Sequence, residues 1–314
     1  MKHMRIASFF LALLMFSCGL LVSCGAEAGQ YNDAMKLYEA GEFEDAKEAF
    51  EALKEYKDSK DWIKKCKNAI LDQKYNDAVA KLDDGKIVEA YETLLALDGY
   101  KDSYDKLDSI ASQYKAEKLK QAKVGDIVLF GRYEQDNVFN NGEEDIEWIV
   151  LEVTDGKAFL VSKYILDYES FNSTSPYAWN SSSIRTWCNE TFYSSAFDAN
   201  EQVKILATTL TMDKDAKKYG SVLEVGPVED KVFLLNITEL TKYWKNTKER
   251  IAMLTEYAKT KSVSSFANGS GEYWLRVSKS TTGVYYVNIG GDRSTERGRS
   301  VKGIRPAMWV DLNK

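Results

Sequence analysis

Residues 31–59 read YNDAMKLYEAGEFEDAKEAFEALKEYKDS, and residues 75–103 read YNDAVAKLDDGKIVEAYETLLALDGYKDS. At a constant offset of 44, without gaps, 13 of the 29 positions are identical, whereas ordinary residue frequencies would match about two. A duplication of this length with helical periodicity inside it reads as stacked helical hairpins. Phe43, Ala46, Phe50 and Leu53 lie at steps of three and four, as do Ile87, Ala90, Leu94 and Leu97, so each set lines one helix face. Gly41 and Gly85 stand where a helix C-cap needs positive φ. The Asp-Ser pairs at Asp58-Ser59 and Asp102-Ser103 offer N-cap oxygens for a following helix. That helix carries Ile63, Cys66 and Ile70 in one copy and Leu107, Ile110 and Tyr114 in the other. Cys66 therefore occupies a core slot that is Ile in the second copy.

Residues 31–121 resemble the tetratricopeptide-like repeats of bacterial envelope proteins, on the Gly turn, the Asp45 to Phe50 pattern and the Tyr-Lys-Asp-Ser punctuation. The offset is longer than the usual repeat period, and two copies are few for a free solenoid. The helix from Ser103 to about Ala122 is expected to cap the stack against the next domain. Such a module either displays a peptide groove or serves as a spacer, and both readings stand.

Upstream, Lys2 and Arg5 precede an apolar run from Ile6 to Val22, the layout of a secretory signal. The run ends in Leu21-Val22-Ser23-Cys24, which resembles the lipobox of bacterial lipoproteins. That resemblance implies a signal peptide over residues 1–23, cleavage before Cys24, and acylation of its thiol. The expected partner is then the lipid bilayer, and the location the extracytoplasmic face of the cell membrane. Residues 24–30 read as a tether reaching at most about 20 Å when extended. The single histidine, His3, lies inside the signal. The mature chain then has none, which excludes His-based triads, His proton shuttles and His-ligated metal sites. A formal net charge of −6 argues against nucleic-acid partners. Nothing in the sequence calls for a cofactor or a metal.

Beyond Val124 the composition changes: all 3 prolines and six of the 7 tryptophans lie there. A mixed α+β domain over residues 122–314, with small twisted antiparallel sheets, is expected. Asp126 to Tyr133 reads as a strand. Glu147 to Val153 and Lys157 to Lys163 form a hairpin across Asp155-Gly156. Ser182 to Phe192 reads as one helix, with Ile184, Cys188 and Phe192 on one face. Strands are expected at Lys231 to Leu235, Tyr273 to Val277, Val284 to Ile289 and Ile304 to Val310, and helices near Thr238 to Trp244 and Glu249 to Tyr257.

Several ordered motifs carry a second resemblance. They are Val124-Gly125-Asp126, Phe130-Gly131-x-Tyr133, Ile146-Glu147-Trp148, Ser182-x-Ile184-Arg185-x-Trp187, Asp230 to Leu235, Tyr273-Trp274-Leu275-Arg276 and Gly303-Ile304-Arg305-Pro306-Ala307. Together they resemble a bacterial domain of unknown function found in lipoproteins of low-GC Gram-positive bacteria, which implies no settled activity. The last two motifs also resemble C-type-lectin-like and formylglycine-enzyme-like folds. That likeness implies a glycan- or protein-binding surface rather than the oxidase, which needs cysteines that are absent after Cys188.

Arg185, Arg276 and Arg305 stand in apolar segments beside Trp187, Trp274 and Pro306. Each guanidinium demands a carboxylate or carbonyl partner, either as a structural tie or as a group offered to an anionic or sugar ligand. Tyr177 and Trp179, in a Ser- and Asn-rich loop, are the candidates for stacking on a sugar, with Trp274 beside them. The acidic run Glu143-Glu144-Asp145 lacks the spacing of an EF-hand loop and reads as a solvated hairpin tip. The function these residues imply is a binding module for a glycan or an envelope protein. The alternative is an envelope hydrolase working through Asp and Glu, for which no catalytic pair is legible.

Overall fold

The computed structural model describes residues 23–211, 227–262 and 268–314. The expected signal peptide, apart from Ser23, and the side chain of Cys24 lie outside the described residues. The chain is α+β and divides into two compact units, residues 1–110 and residues 111–314. This division falls earlier than the boundary expected at residues 121/122. The reason is local, because Leu119 and Ala122 belong to the hydrophobic core of the second unit.

Five helices make up the N-terminal part: α1 (Ser23–Glu39), α2 (Phe43–Ala52), α3 (Ser59–Asp83), α4 (Ile87–Leu95) and α5 (Ser103–Lys120), the last crossing the division. Because α1 begins at Ser23, residues 24–30 are helical rather than an extended tether. At 1.5 Å per residue they reach about 10 Å. Gly41 and Gly85 close α1 and α3 with φ of 81° and 74°, as the spacing required. Ala46, Phe50, Leu53 and Cys66 are buried together in one cluster, with Trp62 stacked on Phe50 at 5.7 Å. Burial pushes the Cys66 thiol up from its usual value, so it behaves as a small apolar side chain.

The Asp-Ser pairs do other work than the capping expected of them. Ser59 Oγ donates to Tyr56 O at 2.6 Å. Asp58 makes no cap hydrogen bond and instead accepts from the Tyr31 hydroxyl at 2.5 Å. Tyr75 donates to Asp102 in the same way, 44 residues on. The first residue of each copied stretch is thus joined to the last but one, and the Tyr31 hydroxyl holds the Asp58 carboxyl below its usual range.

The second unit is built on two sheets. The first holds β1 (Ile127–Tyr133), β2 (Glu144–Thr154), β3 (Lys157–Ser162) and the last strand of the chain, in antiparallel order. Asp155 and Gly156, at φ 49° and 70°, make the tight β2–β3 turn. After β4 (Asp167–Ser170) come two short pairs: β5 (Thr208–Leu210) with β6 (Val228–Asp230), and β7 (Ala252–Met253) with β8 (Ser270–Gly271). The second sheet combines β9 (Tyr273–Ser280), β10 (Gly283–Val287), β11 (Arg293–Glu296) and β12 (Val301–Ile304) in the order β11-β10-β9-β12-β4. β13 (Ala307–Asp311) then joins the first sheet beside β3.

The expected strand Ile304 to Val310 is therefore two strands in different sheets. Pro306 has no N–H to give to a ladder, and the chain changes sheet at Arg305-Pro306. Arg305 Nε donates to Ser162 O at 2.8 Å, and Ser162 N donates to Pro306 O at 2.9 Å, which pins the crossing to the end of β3. Lys231 to Leu235 is not a ladder strand either. It makes one bridge, Phe233 to Ala307, and Val232, Phe233, Leu234 and Leu235 are all buried. The expected helix over 249–257 is divided into Thr247–Arg250, β7 and Glu256–Lys261, with Asn246 and Thr255 capping the two helices.

Ser182 does cap its helix, accepting from Arg185 N at 3.3 Å. The helix is α over Ser183–Thr186 and then widens to a π-helix over Trp187–Phe192. The widening has a visible cause. Asn189 Nδ2 donates to Arg185 O at 3.1 Å, taking the carbonyl that the Asn189 backbone N–H would use in an α-helix. Asn189 Oδ1 in turn accepts from Lys231 N at 2.8 Å and Val232 N at 3.2 Å, which ties the π-turn to the buried Val232 to Leu235 run.

Two motif glycines are required by close approach. Gly131 has φ 71°, and a Cβ there would lie 2.5 Å from the Phe197 ring. A Cβ on Gly303 would meet Ile165 at 2.5 Å and Glu272 O at 2.7 Å. The core they enclose is centred on Trp148, fully buried, whose indole N–H donates to Phe130 O at 2.6 Å.

Candidate functional site

A groove of about 710 Å³ opens within the second unit, inside the range of small-ligand sites. Leu119, Leu129, Phe130 and Phe197 contribute its apolar surface, and Ser112, Arg132, Ser194 and Asn200 are exposed polar groups along it. Its best-defined charges form a triad: Asp145 accepts from Lys115 Nζ at 2.6 Å and from Arg132 Nε at 3.3 Å. Arg132 remains 65% exposed while so held, which leaves most of its donors facing solvent. Glu201 is committed to structure. One of its oxygens accepts from Gly131 N at 2.9 Å and the other from Asp198 N at 3.0 Å, in a capping box with Asp198.

The residues singled out from sequence lie elsewhere. Trp179 is 1% exposed, and its indole N–H donates to Asp230 at 2.7 Å. Arg185 Nε donates to the other oxygen of Asp230, also at 2.7 Å, so two of the candidates share one carboxylate that is wholly buried. Tyr177 is buried against Gly298. Trp274 is fully buried and donates to Glu169 O at 3.0 Å. Phe171 contacts both Trp179 at 6.2 Å and Trp274 at 5.9 Å, so these rings form a row through the core. A stacking platform needs an open ring face, and Tyr177, Trp179 and Trp274 have theirs covered. Arg276 is held bidentately by Glu239, with Nη2 to Oε1 at 2.7 Å, and also donates to Leu234 O. Arg305 is 2% exposed, donates to Ser162 O and Tyr273, and lies 4.5 Å from the Trp244 ring.

The acidic segment is more ordered than a solvated tip. Glu144 Oε2 accepts from Gln135 N at 2.7 Å and Asp136 N at 3.2 Å, and Glu134 Oε1 accepts from Val138 N at 3.1 Å. Ligand oxygens of Glu134, Asp136 and Glu144 lie within 4.8 Å of one another. Their hydrogen bonds make them staples of the 134–144 loop.

One further carboxylate pair stands on β4, where Asp167 and Glu169 project from the same face. Asp167 is 1% exposed and accepts from Tyr133 Oη at 2.6 Å and Lys261 Nζ at 2.8 Å. Burial, and then the neighbouring Asp167, push the Glu169 carboxyl above its usual value.

These placements fall largely within a stretch that has relatives. Residues 155–312, about half of the chain, match the family described as Domain of unknown function (DUF6273). The chain belongs to the DUF6273 family. The DUF6273 match takes in β3 through β13 and every ligand candidate named from sequence, whereas the motifs at Val124-Gly125-Asp126 and Ile146-Glu147-Trp148 precede it. No curated protein and no solved structure matches the chain.

Sequence reasoning named Asp230 only as part of a motif and Asp145 only as part of a solvated tip, and it passed over Glu239, Lys115 and Arg132. The N-x-x-E spacing of Asn236 and Glu239 and the D-x-x-E spacing of Asp198 and Glu201 were visible as capping boxes. Lys115, Arg132 and Asp145 carry no spacing that announces them.

Proposed function

We propose that this DUF6273 protein is a lipid-anchored extracytoplasmic binding protein, held at the membrane through acylated Cys24. Its second unit captures a polar envelope ligand, glycan or peptide, in the groove between Lys115, Arg132 and Ser194. The helical unit is read as a tetratricopeptide-like module that carries it. One observation bears most of the weight: the 710 Å³ groove combines an apolar surface with exposed hydroxyl, amide and guanidinium groups. Binding suits it better than hydrolysis, because three of the four carboxylates that line it, Asp145, Asp198 and Glu201, are held in structural bonds, which leaves Glu143 as a lone exposed acid. Among the described residues no helix is long and apolar enough to cross a membrane.

The test is binding of soluble envelope glycan and peptide fragments to the detergent-solubilised chain. Arg132→Ala and Ser112→Trp, both at exposed positions, should weaken capture with no change in unfolding temperature. Unchanged capture by both variants would remove the groove from consideration. Cys24→Ser should release the protein into the medium, and continued membrane retention would count against lipidation.

The raised carboxyl of Glu169 beside Asp167 is the feature that favours the hydrolytic reading. Asp167, however, is closed off by Lys261 and Tyr133, which leaves Glu169 without an accessible partner carboxylate on β4. Retained activity on envelope glycan in Glu169→Gln would end that reading.

A further inference from the structure

Burying a guanidinium without a carboxylate is costly, because the lost hydration must be recovered from neighbouring dipoles alone. Arg185 and Arg276 each recover it from an acid, Asp230 and Glu239. Arg250 and Arg305 do not. Arg250 is 9% exposed, and Nε and Nη2 both donate to one carbonyl, Trp244 O, at 3.2 and 3.0 Å. Arg305 is deeper, and its acceptors among the described residues are Ser162 O and the Tyr273 hydroxyl. Tyr273 joins the two, since its own hydroxyl donates to Arg250 O at 2.7 Å. Tyr273 thus links the Arg305 guanidinium to the backbone of Arg250, and neither guanidinium has a carboxylate paired to it among the described residues, in a chain whose formal net charge is −6.

Arg250 does not end in solid core. It lines a pocket of about 280 Å³ together with Tyr285, Asp292 and Arg293. The walls are fixed. Gly291, at φ 83°, comes so close to Thr247 that a Cβ would lie 1.8 Å from Thr247 O, which presses the 288–292 turn against the short helix carrying Arg250. Asn288 Oδ1 accepts from Gly290 N at 2.9 Å and Asp292 N at 3.0 Å and holds the turn's shape. Tyr285 and Arg293 come from paired strands, β10 and β11.

We propose that this pocket is an anion site that takes a phosphoryl group, with Arg250 as its floor and Arg293 and Tyr285 at its mouth. A carboxylate offers its lone pairs in a single plane, whereas a phosphoryl group sets three terminal oxygens around phosphorus and can meet two guanidinium groups and a phenol that come from different walls. Asp292 at the rim offsets one of the two lining charges, and Arg305 behind Trp244 adds a second, unanswered one. The site is separate from the groove at Arg132.

The experiment is a calorimetric titration of the detergent-solubilised full chain with inorganic phosphate, ionic strength being held constant with chloride. Saturable one-to-one binding is expected, weakened at least about tenfold in Arg293→Gln and in Arg250→Met and unchanged in Arg132→Ala. Arg293 is exposed, so Arg293→Gln tests the site even if Arg250→Met fails to fold. Glycerol phosphate and phosphatidylglycerol vesicles are run alongside to separate a soluble phosphate from a lipid headgroup. No saturable response to either soluble phosphate at up to about 10 mM, equal affinity in Arg293→Gln, or a response to vesicles alone would overturn the proposal.

Discussion

Replacing Trp179 by Phe separates a structural role from a ligand platform. The indole N–H donates at 2.7 Å to Asp230, whose carboxylate is wholly buried, and Arg185 occupies the other oxygen. Phenylalanine keeps most of the apolar bulk but leaves Asp230 Oδ2 without a donor. A hydrogen bond to a buried charged acceptor is worth about 1.5–3 kcal/mol, and the smaller ring leaves a void costing about 1 kcal/mol more. The expected loss is thus about 2–4 kcal/mol, or roughly 5–15 °C in the unfolding midpoint of a unit of this size. Thermal unfolding by circular dichroism reads this directly, and binding to envelope fragments should survive below the new midpoint. Coupling gives a second check: Trp179→Phe and Asp230→Ala together should cost less than their sum, because both remove the same bond. A variant that melts within about 1 °C of the parent yet loses its ligand would refute the assignment and restore Trp179 as an exposed stacking residue.

Glu169 supplies a pH test. Its folded-state pKa is raised by burial and by Asp167, so its contribution is fully present below the unfolded value and is lost as pH rises through the folded one. Glu169→Gln should therefore raise the unfolding midpoint at neutral pH and leave it unchanged below about pH 4; a gain that persists in acid would refute this. Gly131→Ala forces a side chain to φ 71° against the Phe197 ring, and strain plus overpacking should cost about 2–4 kcal/mol in chemical denaturation. In Tyr31→Phe, the Asp58 carboxyl loses the hydroxyl that holds it down, so its pKa, followed by carboxyl NMR, should rise toward the ordinary value. Cys188 is buried and free, with burial pushing its thiol up, so it should react with a thiol reagent only as the second unit unfolds.

Periodicity carried the helices legibly, because a helix face is written at short range. Phe43, Ala46, Phe50 and Leu53 are neighbours in sequence and in space alike, and Gly41 and Gly85 mark local backbone needs. The β2–β3 hairpin was legible for the same reason, its turn being set by Asp155-Gly156. Long-range pairing was not legible. Whether Asp58 caps a helix or receives the Tyr31 hydroxyl depends on a residue 27 positions away. The sheet change at Pro306 depends on Ser162, and the burial of Trp179 on Asp230 at a separation of 51. A tryptophan in a Ser- and Asn-rich loop looks exposed until an acid from another strand is found to accept its N–H. The groove is more remote still, since Lys115, Arg132 and Asp145 are ordinary surface charges until α5, β1 and β2 bring them together. Composition and motif order decided the class of the protein and the presence of its DUF6273 domain; only tertiary contact decided which polar groups are neutralised inside and which remain for a ligand, because that division depends on partners that the chain brings from far away.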